Sequence, residues 1–466
     1  MEAKLSIRSE NNLYQRLNDS KVEPFDIEEP EKCVTIFNMI KLNPGISKQN
    51  FWCCVFHYMS MIFCVVAVGV LQPLILLDKN YYNVPSDQAG SITSLILVVQ
   101  LVVKIAVSVP YGHFADKFGR KLAIYYGAAN FLASCLLVPI QTSIFPGLVL
   151  SKLLFANSAS ALHAVPLIAD YIADESKGKA TGFLALGIGI AAMLSNIFLK
   201  ILFYSNVSLG SCYVIMGIIG TTLMCVNTLG LKDGAYIKKD PSQAQSNNFD
   251  LAELKKNIHE AYDIFKGNGW LLISLVLNIL GSADFMVFFT FLTLYVRSMF
   301  TEADSSLANI VISNLQTLVM IPMFFCTLLY GYVMDRKRQA LLLSYIALGG
   351  GTISFILITI STHPTDKLIK IGSVLLGSTL PGLFVISNYL NIKNFPEDKR
   401  GIMIGFTGMI GNVGHFIIAS GGGLLYDYWR KDGPFLVCAG LLVLAMILVT
   451  KIYRSMILGK DIQSSH

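Results

Sequence analysis

The stretch Gly112-His-Phe-Ala-Asp116-Lys-Phe-Gly119-Arg120-Lys121 lies between two apolar runs, each long enough to cross a bilayer. It reads as a tight turn at a membrane surface. Glycine accepts positive φ and lets helix backbones approach closely, so Gly112 and Gly119 permit the reversal. Asp116, where one helix ends, can accept hydrogen bonds from the N-terminal amides of a neighbouring helix, and Arg120 and Lys121 suit headgroups and cytoplasm. A related stretch, Gly331-Tyr-Val-Met-Asp335-Arg336-Lys337-Arg338, closes a second apolar run.

Two further loops repeat in the same way. Asp174-Glu175-Ser-Lys177-Gly178-Lys-Ala-Thr-Gly182-Phe183 and Glu397-Asp398-Lys399-Arg400-Gly401-Ile-Met-Ile-Gly405-Phe406 both give acid, base, then Gly-x-x-x-Gly-Phe. The offset between copies is roughly 220 residues in both pairs, which makes the chain two related halves.

Gly-x-x-x-Asp-x-x-Gly-Arg-Lys at this position resembles the signature loop of the major facilitator superfamily of secondary transporters, over about residues 51 to 455. The resemblance implies an all-α membrane fold of twelve transmembrane helices in two pseudo-symmetric six-helix bundles. It implies a solute site between them, opened alternately to each side. It also implies a gating role for Gly112, Asp116, Gly119, Arg120 and Lys121, and a weaker one for Gly331, Asp335, Arg336 and Arg338.

Composition points the same way. Of 466 residues 54% are hydrophobic and only 14% charged, with mean hydropathy +0.58, too few charges for a soluble globule of this size. The net charge of +6 sits in loops on one side and calls for no nucleic acid. The nine cysteines lie mostly inside apolar runs, without metal spacing. Neither a nucleotide loop, a nucleophile with its base, nor a metal set is present, which speaks against an enzyme, and no cofactor is expected.

Apolar periodicity predicts helices over roughly 51 to 77, 89 to 113, 121 to 141, 146 to 171, 179 to 203, 208 to 230, 269 to 296, 305 to 331, 339 to 361, 367 to 391, 402 to 426 and 433 to 454. Loops after even-numbered helices carry most of the Lys and Arg, which places both termini in the cytoplasm. The organisation expected is a cytoplasmic tail over 1–50, a six-helix bundle over 51–230, a connector over 231–268, a second bundle over 269–455 and a tail over 456–466. In the connector, Asp250 and Glu253 form a capping box ahead of an amphipathic segment. The opening tail is rich in acids, unlike a mitochondrial presequence, and its Tyr14-Gln-Arg-Leu17 fits an endosomal sorting pattern as well as an ordinary tail. The membrane is that of the cell surface or of endosomes and lysosomes. Asn206-Val-Ser208 is a glycosylation sequon in a very short loop.

Ionisable residues within the hydrocarbon cost about 2.5 to 3.5 kcal/mol at a helix centre, so those retained face a cavity or a partner. They are Lys104, Lys152 and Asp284, with His57, His163 and His415. Across the internal repeat Lys104 corresponds to Met323, Asp284 to Val65 and His415 to Ala192, so the scaffold does not itself require these groups. Asp284, behind Gly281 in the seventh helix, is read as a proton or cation site, a structural ion pair with Lys104 or another helix, or an exposed mouth position. Lys104, one turn after Gln100, could hold an anion, pair with Asp284 or snorkel. Lys152 stands where the family's fourth helix carries an Arg associated with coupling or gating, and keeps the charge without the planar fork. His163 suits packing or a proton relay, and Asn388 an uncharged ligand contact.

These readings lead to a secondary transporter of a small organic solute, monomeric unless part of a complex, coupled to a proton or cation as a symporter, with the two lysines tilting the solute towards an organic anion. The alternative is a membrane scaffold, sensor or complex subunit that keeps the fold without transport. The sugar-porter stretch after the sixth helix is absent, Leu231-Lys-Asp-Gly standing there, as is the acidic first-helix signature of monocarboxylate carriers.

Overall fold

The computed structural model describes residues 34–163, 171–173, 176–232, 259–260, 262–301, 304–334, 337–395 and 400–464. Within some of these helices, including 108–110, 112–118, 160–163 and 337–338, only the backbone is described. Tyr14-Leu17, the Asp250 and Glu253 capping box, Asp335 and Arg336 lie outside the described residues.

Besides a short helical stretch in the connector (259–260 and 262–267), twelve longer helices follow one another among the described residues: α1 Lys48–Leu77, α2 Ala89–Phe118, α3 Arg120–Leu137, α4 Val149–His163, α5 Lys177–Tyr204 and α6 Leu209–Leu229 in the first half. The second half has α7 Gly269–Ser298, α8 Ser305–Val333, α9 Lys337–Thr359, α10 Lys367–Asn394, α11 Arg400–Leu424 and α12 Gly433–Ser464. Ten of the described helices contain spans long and apolar enough to cross a membrane; α3 has 18 residues, and the apolar stretch of α4, Ile144–Ala159, is shorter. Local chemistry sets several ends. Ser47 and Asn50 form a reciprocal capping box at α1, Ser208 accepts from the Ser211 amide at α6, and Asn268 accepts from the amides of Trp270 and Leu271 at α7. A π turn at Val287–Phe291 lies within α7, and another at Leu425–Trp429 extends α11.

Both halves use one packing scheme. In the first, α1 packs on α5 and α6, α2 on α4, and α3 on α4 and α6; in the second, α7 packs on α11 and α12, α8 on α10, and α9 on α10 and α12. The repeat read from four loops is therefore a repeat of architecture. Close approaches make some of these contacts: a Cβ on Gly377 of α10 would come within 2.0 Å of the Val319 carbonyl oxygen on α8. Between the halves the main contacts are α2 with α11 and α5 with α8, two seams that exchange under the pseudo-symmetry.

The segment before α1 adds an element that the sequence reading left as plain tail. Thr35–Ile36 (β1) and Ile40–Lys41 (β2) pair antiparallel through a turn in which Phe37 and Asn38 adopt φ of 52° and 54°. Phe37 packs on Trp52 and Phe183, with ring centroids 6.1 and 5.9 Å away. The hairpin docks on the α4–α5 loop: the Asn43 amide donates to Tyr171 O and the Ala173 amide to Lys41 O. Tyr171 Oη in turn donates to Lys232 O and accepts from its amide, so tail, loop and the start of the connector meet at one end of the first bundle, called here the terminal end.

Candidate functional site

The seam between α2 and α11 brings together residues from opposite halves of the chain. The two helices run antiparallel, with Gly423 against Gly90 and Ser94 and Asp427, four residues on, bonded to the amides of Gly90 and Ser91; further along α2 lies Lys104. Lys104 is the sixteenth of the thirty residues of α2, so it lies near mid-depth. There the Lys104 ammonium is within coulombic range of the His415 imidazole, whose ring lies 6.5 Å from that of Phe285 on α7. One turn back on α2, Gln100 donates to Gln72 of α1 across 3.3 Å. Gln72 Nε2 is buried with no hydrogen-bond partner among the described residues.

The other candidates are dispersed. Asp284 is 1% exposed, and its Oδ1 has no partner among the described residues. Its charge acts on Cys438 of α12, within the second half, and no ion pair to Asp284 forms among the described residues; of the sequence readings, pairing with Lys104 is therefore not seen. Lys152 is 1% exposed inside the first bundle, where Nζ donates to Tyr213 Oη at 2.9 Å, stands 4.7 Å from that ring's centroid and lies in coulombic range of Cys135. His57 is fully buried, and neither ring nitrogen has a partner among the described residues. Asn388 lies on an exposed face of α10. His163 ends the described part of α4, and its side chain lies outside the described residues.

In the signature loop, Gly119 alone joins α2 to α3, at φ 97° and ψ 153°, a conformation that requires glycine. Arg120 is buried and Lys121 half-buried at the start of α3. Gly112 and Asp116 fall in the last turns of α2, and Arg338 in the first turn of α9, with side chains outside the described residues. A Cβ on Gly331 would meet nothing within 4 Å.

The sequence reading missed polar groups that work in the seams. Asp427, beyond α11, accepts from the Gly90 amide at 3.0 Å and the Ser91 amide at 2.6 Å. Lys431 donates from Nζ to Ser86 O at 2.8 Å. In the other seam Ser313 of α8 donates to Asn196 O of α5 at 2.8 Å. Within the second half, Gln316 of α8 donates to Thr293 of α7 at 3.1 Å, a first-to-second-helix tie like that of Gln72 and Gln100. An acid closing an apolar run, as Asp427 does, was the one visible signal.

Known proteins share this architecture. The family model described as "Major Facilitator Superfamily" matches residues 51–362 and 298–456. The magnetosome protein MamH of Paramagnetospirillum magneticum is 22% identical over 402 residues, covering 81% of this chain and 86% of that protein. Multidrug resistance protein 2 of Bacillus subtilis is 20% identical over 405 residues, covering 84% and 92%. A crystal structure of a variant of the nucleoside transporter NupG superposes with a TM-score of 0.64 at 15% identity, covering 86% of this chain and 99% of that one. With twelve helices in two like halves and the family match over nearly all of them, the chain belongs to the major facilitator superfamily and is an integral membrane transporter, not an enzyme.

Proposed function

We propose that this chain moves a small organic anion by alternating access, in symport with a proton or another cation. The observation that carries the anion reading is the buried Lys104 of one half, near mid-depth in a seam, with His415 of the other half within its electrostatic reach. A buried ammonium in a low dielectric attracts an anion, and an imidazole nearby can donate a hydrogen bond to it. Because they sit on different halves, rocking changes their separation and therefore their hold on the solute. The printed names of the relatives speak of multidrug resistance and nucleosides, so the solute class here rests on this pair and not on them.

Asp284 is the candidate for the coupling ion, on the support of a buried carboxyl with one oxygen unpartnered among the described residues. The basic loops support a reading with both termini in the cytoplasm, and the membrane in that reading is that of the cell surface or of endosomes and lysosomes.

The test is uptake of a pooled metabolite library into proteoliposomes, with and without an inward proton gradient. Wild type is compared with Lys104→Met and Asp284→Asn. Accumulation of an anionic compound that Lys104→Met lowers at least tenfold is expected, with the gradient dependence lost in Asp284→Asn. Uptake of a cation or neutral solute, untouched in Lys104→Met, sinks the anion reading; undiminished gradient coupling in Asp284→Asn sinks that carboxyl's role. Folded protein that accumulates nothing favours the scaffold or subunit reading.

A further inference from the structure

We propose that Asp427 is a clasp between the halves, holding shut the end of the α2–α11 seam opposite the terminal end, and that it acts by capping a helix of the other half. The proposal rests on the alternating-access reading and adds the device that fixes one of its states.

The sequence of α2 creates the need. Its first intrahelical bond runs from the Ile92 amide to Gln88 O, which makes Gln88 the cap residue. Gln is not among the residues whose short side chains reach back to the first free amides. The amides of Gly90 and Ser91 therefore depend on an outside acceptor, and the two carboxylate oxygens of Asp427 take one each. The positive end of the helix dipole adds to the attraction for a carboxylate there. Lys431, four residues further on and past the helix end, grips the Ser86 carbonyl just before α2, so residues 86 to 91 are held at two points by the opposite half.

Packing around the clasp is of a kind that separates cleanly. Gly90 and Gly423 bring backbones together: a Cβ on Gly423 would lie 2.3 Å from both Gly90 O and Ser94 Oγ. Three neighbouring hydroxyls of α2, those of Ser91, Thr93 and Ser94, are buried with no hydrogen-bond partner among the described residues. Ser94 Oγ faces Gly423 in the seam, so opening it admits water there, which offsets part of the loss of the clasp. A seam of interlocked large side chains would offer no such return.

The experiment follows a cysteine at Ser94, a conservative replacement at a buried seam position, with the otherwise intact chain in nanodiscs. Labelling by a polar maleimide is compared with that of the chain lacking Ser94→Cys. Asp427→Asn, nearly isosteric and fold-preserving, and Asp427→Ala are each expected to raise the labelling rate about tenfold, the equivalent of about 1.4 kcal/mol. Asp427→Glu is expected to fall between. Gly423→Ala, which forces the backbones apart without touching the carboxylate, serves as the independent opener. If it raises labelling while both Asp427 variants leave it unchanged, the clasp is refuted and alternating access stands. If none of the variants changes labelling, the seam does not open and the underlying reading fails with it.

Discussion

The buried amine of Lys152 makes a sharp prediction, because its partner can be altered by one atom. Tyr213→Phe removes the hydroxyl that accepts from Nζ at 2.9 Å and keeps the ring 4.7 Å away, leaving the volume of the cluster almost unchanged. With Lys152 only 1% exposed, water cannot replace the lost oxygen. A buried donor stranded in this way costs about 1 to 3 kcal/mol, so the first bundle is expected to lose about that much stability. Lys152→Met removes the amine and fills much of its space, and replacing a buried polar pair by apolar groups of like shape is close to neutral. The double variant should therefore be more stable than Tyr213→Phe alone, with a coupling of about 1 kcal/mol or more between the sites. The nearby Cys135 thiol, 1% exposed, reports the opening of this bundle through its reaction with a thiol dye during thermal unfolding. Simple addition of the two single losses would refute the packing account of Lys152. If Lys152→Met instead folds normally and abolishes transport, the residue serves the transport cycle, as the Arg at this position does in the family.

Three further outcomes follow from contacts elsewhere. Gly377→Ala drives a methyl to 2.0 Å from Val319 O on α8, a backbone atom that cannot step aside, so the yield of folded protein by size-exclusion chromatography is expected to fall severalfold, whereas Gly331→Ala, facing open space, should leave it unchanged. Tyr171→Phe breaks both hydrogen bonds to Lys232, and hydrogen exchange is expected to speed up at Lys41, Asn43, Ala173 and Lys232 without change in the second half. Asp366, between α9 and α10, has its carboxyl held below the usual carboxylate range chiefly by the His363 amide, with Thr362 and Ser361 adding bonds. A depressed folded pKa means that its contribution is present above the unfolded value, near 3.9, and is lost as pH falls through the folded one. Thermal stability of wild type and Asp366→Asn should therefore differ at neutral pH, and the difference should begin to shrink only as pH falls below about 4.

How much could be read in advance divides along the range of the interactions. Helix number and approximate bounds were visible because the bilayer demands some twenty apolar residues per crossing, and the repeat was visible because Gly112 and Gly331, or Gly178 and Gly401, sit at like offsets. Twofold contact pairs such as α1 with α5 and α7 with α11 follow from that repeat. Asp427 could not be found in this way: its partners are 336 and 337 positions distant, and no local pattern marks an acid that caps a remote helix. The hairpin before α1 escaped for a related reason, since two-residue strands have no periodicity and are held by Tyr171 and Ala173 from another loop. Buried charge was easy to list and hard to pair. Composition flags Lys104 and Asp284 alike, yet the electrostatic reach of one crosses the seam to His415 while that of the other stays within its own half, at Cys438.

That last contrast bears on how the halves can move without falling apart. In lipid, helices gain little from burying apolar surface against one another, so what distinguishes a permanent contact from a transient one is fit and polar satisfaction. Within the second half, α8 meets α10 backbone to side-chain space at Gly377, and Ser274 of α7 bonds to Asn391 of α10, contacts that open only with unfolding of the half. Between halves, polar ties among the described residues include Asp427 and Lys431 in one seam and Ser313 in the other. Ser94 Oγ, against Gly423 in one seam, and Asn196 Oδ1, beside Ser313 in the other, are buried without partners among the described residues. Each such atom costs about 1 to 3 kcal/mol while the seam is closed and little once water reaches it. Under the proposed alternating access, a seam held by directed bonds against a bias towards hydration keeps the two arrangements close in free energy, so that a bound solute can choose between them.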